Sequence, residues 1–165
     1  MRLSAFLSVC TSACVPAITH IEVVPEAMLR ALDVGCGDGL STRELSHRFP
    51  HHLVHGIDRD PLAIRMARRN FPQGLFQRKD LFDLSSVRPE FHVIQMKNLV
   101  DDIDDVDGTI HRIRRLLRPK GVLILSEGRH ADKLGIFYRS CSLSIGKCRE
   151  CIINDEKTEF IFYKC

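Results

Sequence analysis

Apolar positions gather into short runs separated by amphipathic stretches. Residues 31–34, 53–57, 91–96 and 122–125 are largely apolar and end in polar or turn residues, as expected of buried strands. Residues 74–77 add a plausible edge strand. Between these runs the period changes. Leu40, Leu45 and Phe49 stand near helical spacing and Pro50 closes that stretch. Asp60 before Pro61 is a helix start, and Ile64 and Ala67, flanked by Leu62 and Met66, supply its apolar side. Val106, Ile110, Ile113 and Leu117 mark a further helix that stops before Pro119-Lys120-Gly121. Strands alternating with helices predict an α/β fold around a mostly parallel sheet. The pattern weakens over residues 128–146, where one short helix around 131–138 is expected. Residues 148–153 and 158–165 are apolar and β-rich around a polar Asn-Asp-Glu-Lys turn, which predicts a C-terminal antiparallel hairpin.

A chain of 165 residues suits one domain. It divides into a short N-terminal cap segment (1–29), a core (30–127) and a linker with the hairpin (128–165). Hydrophobic residues at 44% and charged residues at 27% are an ordinary globular mixture, so disorder is not expected. A net charge of +3 does not by itself call for nucleic acid or an anionic membrane. Seven cysteines are an odd number, which fits reduced thiols better than a disulfide framework. Arg2 and the apolar run after it have some look of a secretory signal, but Ser and Thr interrupt that run. The expected location is therefore cytoplasmic. No apolar stretch approaches the roughly 20 residues of a spanning helix.

The chemistry concentrates in residues 32–39, Leu-Asp-Val-Gly-Cys-Gly-Asp-Gly. An acid, Asp33, at a strand's end, a turn holding Gly35, Gly37 and Gly39, and a helix after it form a nucleotide cradle whose helix N-terminus favours negative charge. The dinucleotide fingerprint would place its third glycine at position 40, which is Leu. Asp58, at the end of the second strand and 19 residues beyond Gly39, is placed to accept hydrogen bonds from ribose hydroxyls.

The Gly-x-Gly-x-Gly loop with Asp33 before it resembles motif I of the class I S-adenosylmethionine-dependent methyltransferases. Residues 114–127, Arg-Arg-Leu-Leu-Arg-Pro-Lys-Gly-Val-Leu-Ile-Leu-Ser-Glu, resemble that family's helix, Pro-Gly turn and fifth strand. The resemblance covers residues 30–127 and loosely the final hairpin. It implies a three-layer Rossmann-like methyltransferase sheet, mostly parallel with an antiparallel C-terminal hairpin strand, and S-adenosyl-L-methionine as cofactor. It further implies that Asp33 orients the cofactor's amino group, the glycines admit it, and Asp58 holds the ribose. Asp80 would reach the adenine amino group, with Leu81 lying against the ring. Lys97 and Asn98 follow the fourth strand, where substrate and methyl would meet; Asn98 is the substrate-facing candidate. His92 departs from the family by replacing an acid at the start of that strand.

Residues 95–100, Gln-Met-Lys-Asn-Leu-Val, are similar to small-molecule methyltransferases and related fungal regulators of secondary metabolism. The expected activity is methyl transfer to an O, N or S acceptor, with a small molecule as substrate. Short caps leave room for a partner subunit that supplies a lid, or for a methyltransferase-like regulatory protein without turnover. An NAD(P)-dependent oxidoreductase would also use the loop and Asp58, but Leu40 breaks its fingerprint. No general base is secure: Lys97, Asn98 and Asp101 are only near the methyl position, and His130 follows the fifth strand. The aspartates at 101, 102, 104, 105 and 107 lack the glycine and closing Glu of a calcium loop. Cys148 and Cys151 would need two further zinc ligands, for which Cys10 and Cys14 are the only paired candidates; no metal is expected. The arginines at 65, 68 and 69 and the basic side of the 106–117 helix read as solvated faces, and nucleic acid is not expected.

Overall fold

The computed structural model describes residues 29–50, 52–84, 87, 90–128, 133–153 and 157–165. The expectations for the N-terminal cap over residues 1–28, for His130 and for the turn at 154–156 lie outside these. Seven strands, β1 (Leu29–Val34), β2 (His52–Asp58), β3 (Leu75–Arg78), β4 (Phe91–Lys97), β5 (Leu117–Gly128), β6 (Cys148–Ile153) and β7 (Lys157–Tyr163), form one sheet in the order β3-β2-β1-β4-β5-β7-β6. The first five pair in parallel. The last two run antiparallel, with β7 inserted beside β5.

Strand periodicity divides the apolar residues between two faces. Leu32, Val34, Ile94, Met96, Leu123 and Leu125 point to the main core, beneath α3 (Val106–Leu116) and α4 (Leu134–Ser144). Ala31, Val93 and Ile124 point the other way and pack with Leu45 of α1 (Leu40–Arg48). Ile64 and Ala67 of α2 (Pro61–Asn70) close over Cys36 and Phe76 at the β3 side. The result is the expected three-layer, Rossmann-like arrangement.

Local signals set the helix starts. Asp60 accepts from the Leu62 amide at 2.8 Å, with Pro61 at the first helical position. Asp105 caps α3 by accepting from the Gly108 amide at 2.9 Å.

Two elements differ from expectation. Leu117 closes the apolar stripe of α3 in sequence, yet it is already extended and pairs with Phe91 as the first residue of β5. Residues 118–121 then bulge out opposite His92, and pairing resumes at Val93 and Val122. The Pro-Lys-Gly turn is thus a long bulge within the strand, with Lys120 in a left-handed conformation. The helix expected around 131–138 instead runs from Leu134 to Ser144. Leu134, Phe137, Cys141 and Ile145 form its buried stripe, and Ser140, Ser142 and Ser144 between them dilute the apolar signal.

Candidate cofactor site

The order in which strands are added reverses at β1: β2 lies on one side of it and β4 on the other. In open α/β sheets the crevice at such a switch point, outside the carboxyl ends of the strands, takes the ligand. The glycine loop leaves β1 there. Its first two amides, Gly35 and Cys36, both donate to the Ile57 carbonyl at 2.9 and 3.0 Å, and Gly39 donates to the Cys36 carbonyl at 2.9 Å. Gly35, Gly37 and Gly39 have φ of +71°, +52° and +87°, a region that side chains other than glycine's enter at a cost.

Their surroundings differ. A Cβ at Gly35 would lie 2.9 Å from Cδ1 of Leu99, so the leucine fills the space beside that glycine. A Cβ at Gly37 would meet nothing within 4 Å. Gly37 therefore marks the open lip of the loop, where a ligand can come against bare backbone. Cys36, between them, is buried against α2 and β3. Burial, reinforced by Asp33 and Asp58, pushes its thiol up to about 12, so it serves as packing rather than as a nucleophile.

Asp58 ties the second strand to this lip. One carboxylate oxygen accepts from the Gly37 amide at 2.9 Å and the other from the Asp60 amide at 2.9 Å. Each oxygen retains a lone pair for a further donor. The neighbouring strand leads to Asp80: Asp58 pairs with Arg78, and the Lys79 amide donates to the Asp58 carbonyl at 3.0 Å. Asp80 is exposed, and its carboxylate accepts from the Phe82 amide at 2.9 Å, a turn that presents Leu81 half-buried against the main core.

Asp33 is placed differently from the other candidates. It has no exposed surface, and its carboxylate accepts from Ser41 Oγ at 2.6 Å, Thr42 Oγ1 at 2.7 Å and Gln95 Nε2 at 3.2 Å. Burial raises its pKa above the ordinary carboxylate value, and these three bonds and the Lys97 charge oppose that rise. Asp33 thus fastens the first turn of α1 to β1 and β4. Ser41, Thr42 and Gln95 do not stand out in the sequence; the Ser-Thr pair after Gly39-Leu40, in the first turn of α1, is the signal that points to the first two.

At the end of β4, Lys97 pairs with Glu44 of α1. Asn98 follows, exposed and left-handed at φ +51°, its amide donating to the Ser126 carbonyl at 2.9 Å. Asparagine tolerates this conformation better than most residues. Glu127, in sequence only the polar end of the 122–125 run, is buried below this segment and accepts from the Leu99 and Val100 amides at 2.7 and 3.0 Å. Four of the acidic residues that follow have structural partners. Asp101 accepts from the Lys133 amide, Asp104 pairs with the Lys133 ammonium, Asp105 caps α3, and Asp107 accepts from Ser140 Oγ at 2.6 Å.

Residues 31–121 match the family described as methyltransferase domain. The chain belongs to the methyltransferase domain family. S-adenosylmethionine is the cofactor that goes with it. The chain is 32% identical over 102 residues to trans-aconitate 2-methyltransferase of Variovorax paradoxus, covering 62% of this chain and 39% of that protein. It is 33% identical over 100 residues to the secondary metabolism regulator laeA of Coprinopsis cinerea, covering 59% and 24% respectively. The chain thus spans less than half the length of these relatives. The methyltransferase fold is also that of a TehB-like SAM-dependent methyltransferase from Corynebacterium glutamicum, with a TM-score of 0.70 at 22% identity over 83% of this chain and 80% of that one. The open backbone at Gly37, with the Asp58 carboxylate fixed at its edge, fits a methyltransferase cofactor that brings a nucleoside to the strand ends.

Proposed function

We propose that this chain binds S-adenosylmethionine across the ends of β1, β2 and β3 and transfers its methyl group to an O, N or S atom of a small-molecule acceptor. The observation that carries the reading is the glycine lip: Gly37 is open on the ligand side, and its amide is held by the carboxylate that would receive the ribose hydroxyls. Asp80, exposed beside it, accepts from the adenine amino group while Leu81 lies against the ring. Asp33 acts through α1: by fastening Ser41 and Thr42 it aims the helix's N-terminal amides at the methionyl carboxylate. The Glu44 side chain is 63% exposed, so its ion pair with Lys97 is weak enough to exchange for the cofactor's carboxylate. Asn98 faces the acceptor.

When bound, S-adenosylmethionine supplies a methyl group on a sulfonium, a leaving group that needs no acid. The protein's task is then to hold acceptor and cofactor in line and to exclude water. A base is required only for an acceptor that must lose a proton before attack. The trans-aconitate relative supports a small carboxylic acid as the first acceptor to try.

Calorimetry with S-adenosylhomocysteine on the wild type and Asp58→Ala tests the cofactor assignment. Binding by the wild type with a loss of about tenfold or more in the variant is expected, about 1.4 kcal/mol. Equal binding by both removes Asp58 from the site. A screen for S-adenosylhomocysteine release with small carboxylic acids, peptides and RNA then tests the acceptor class. The fungal regulator among the relatives supports a second reading, a methyltransferase-like regulatory protein that binds cofactor without turnover or takes its lid from a partner subunit. Tight binding with no release against any of the three pools would favour it.

A further inference from the structure

Glu127 lies at the end of β5, away from the glycine loop in sequence, and is only 4% exposed. A carboxylate taken out of water at this depth must be held by donors, and here two consecutive backbone amides, those of Leu99 and Val100, converge on one oxygen. This fixes the turn that leaves β4. Leu99 is one of the two residues so held, and its side chain occupies the space beside Gly35 that a Cβ would need. The same turn is braced from its far side by Lys133 at the start of α4. The Lys133 ammonium donates to the Ile103 carbonyl at 2.9 Å and to Asp104 at 3.0 Å, while its amide donates to Asp101 at 3.1 Å. Glu127 and Lys133 therefore grip the segment 99–104 at two points. One of them leads directly to the cofactor loop.

We propose that Glu127 is a positioning residue for the cofactor loop: its carboxylate sets the backbone at Leu99 and Val100, and Leu99 in turn holds Gly35 in place. This rests on the reading that S-adenosylmethionine binds at residues 35–39. Glu127 touches no cofactor atom; its effect passes through one side chain. The geometry makes two distinctions. The carbonyl oxygen of glutamine can accept the same two amides, whereas aspartate, one methylene shorter, cannot reach them from the same backbone position. Loss of the Leu99 side chain should mimic loss of Glu127, because both break the same link.

The test uses the full chain. S-adenosylhomocysteine affinity is measured by calorimetry for the wild type, Glu127→Asp, Glu127→Gln, Leu99→Ala and the Glu127→Asp/Leu99→Ala double variant. Phe137→Leu, in the α4 core, serves as a control for general loss of stability. Glu127→Asp and Leu99→Ala should each weaken binding by about tenfold, with Glu127→Gln within about threefold of wild type. The double variant should be little worse than either single one, since residues in one network are not additive. Phe137→Leu should lower the melting temperature and leave affinity unchanged. Amide exchange at residues 35–39, measured without ligand, should speed up in Glu127→Asp and Leu99→Ala alone. Wild-type affinity in Glu127→Asp, full multiplication of the two single effects, or an equal loss in Phe137→Leu would overturn the proposal. Should the wild type bind no S-adenosylhomocysteine, the functional reading fails, and loop exchange still decides the coupling: unaltered exchange in both variants overturns it.

Discussion

Gly35 and Gly37 share a left-handed backbone but differ in what lies beside them, and alanine at each should fail in a different way. Gly35→Ala adds a methyl against Leu99 to the conformational cost of about 1–2 kcal/mol for a left-handed residue, so it should lower stability measurably in urea denaturation. Gly37→Ala carries only the conformational cost, because nothing lies within 4 Å of its new methyl. Its effect should fall on cofactor affinity. Asp33→Ala removes the acceptor shared by Ser41, Thr42 and Gln95, and stranding the buried Thr42 and Gln95 donors should cost about 1–3 kcal/mol in the same assay. At this scale the loop was legible from sequence because its chemistry is local: strand, acid and three glycines are consecutive. The Asp58 position was also legible, from its distance along the chain. Glu127 was not, since its meaning lies in two amides 28 and 27 residues away. The burial of Asp33 under three side chains was equally hidden.

Among the elements, those whose apolar residues recur without interruption were read correctly from the chain. The hairpin of β6 and β7 and the strands β1, β2 and β4 follow from short, apolar or β-rich runs bounded by turn residues. Helix α4 was misplaced because Cys141, a small apolar residue, carries one position of its stripe and serines fill the positions between. Phe137 sits at the centre of that stripe with no exposed surface, so Phe137→Ala should destabilise the fold by about 3–5 kcal/mol, read as a shift in the urea midpoint. A shift under about 1 kcal/mol would mean that α4 does not pack as described. The bulge at 118–121 was foreseen as a turn but not as part of a strand, since pairing on both sides of it depends on Phe91 and Val93 of a different element.

The molecule as a whole places its chemistry at one end of the sheet and a group of histidines at the other. His92 accepts the Arg30 amide on Nδ1 at 3.2 Å, and His55 stacks edge-on to Phe91 with a buried ring nitrogen that has no hydrogen-bond partner among the described residues. Burial lowers both histidines below 6.5. Arg30 lowers both further, with Arg118 adding to the effect at His92 and Glu90 opposing it at His55. With folded values below the unfolded one, the unfolded chain binds more protons, so stability is held above about pH 6.5 and is lost as pH falls through the folded values. Asp33 and Glu127, raised by burial, act in the opposite direction. The histidine contribution is isolated by comparing wild type with His55→Gln/His92→Gln: thermal melting between pH 7.5 and 5.5 should fall less in the variant. Identical pH dependence would contradict this account.

No helix among the described residues is long and apolar enough to cross a membrane. The family follows from residues 31–121, while the acceptor remains a proposal because the chain spans less than half of the relatives that name one. The central claim is that residues 35–39 receive S-adenosylmethionine. Its most direct measurement is a calorimetric titration of S-adenosylmethionine into the full chain and into Gly37→Ala, with melting temperatures recorded alongside. One-site binding by the wild type, weakened about tenfold or more in a variant that melts within a few degrees of it, is the predicted result. Absence of binding in the wild type, or equal affinity in the two proteins, would contradict it.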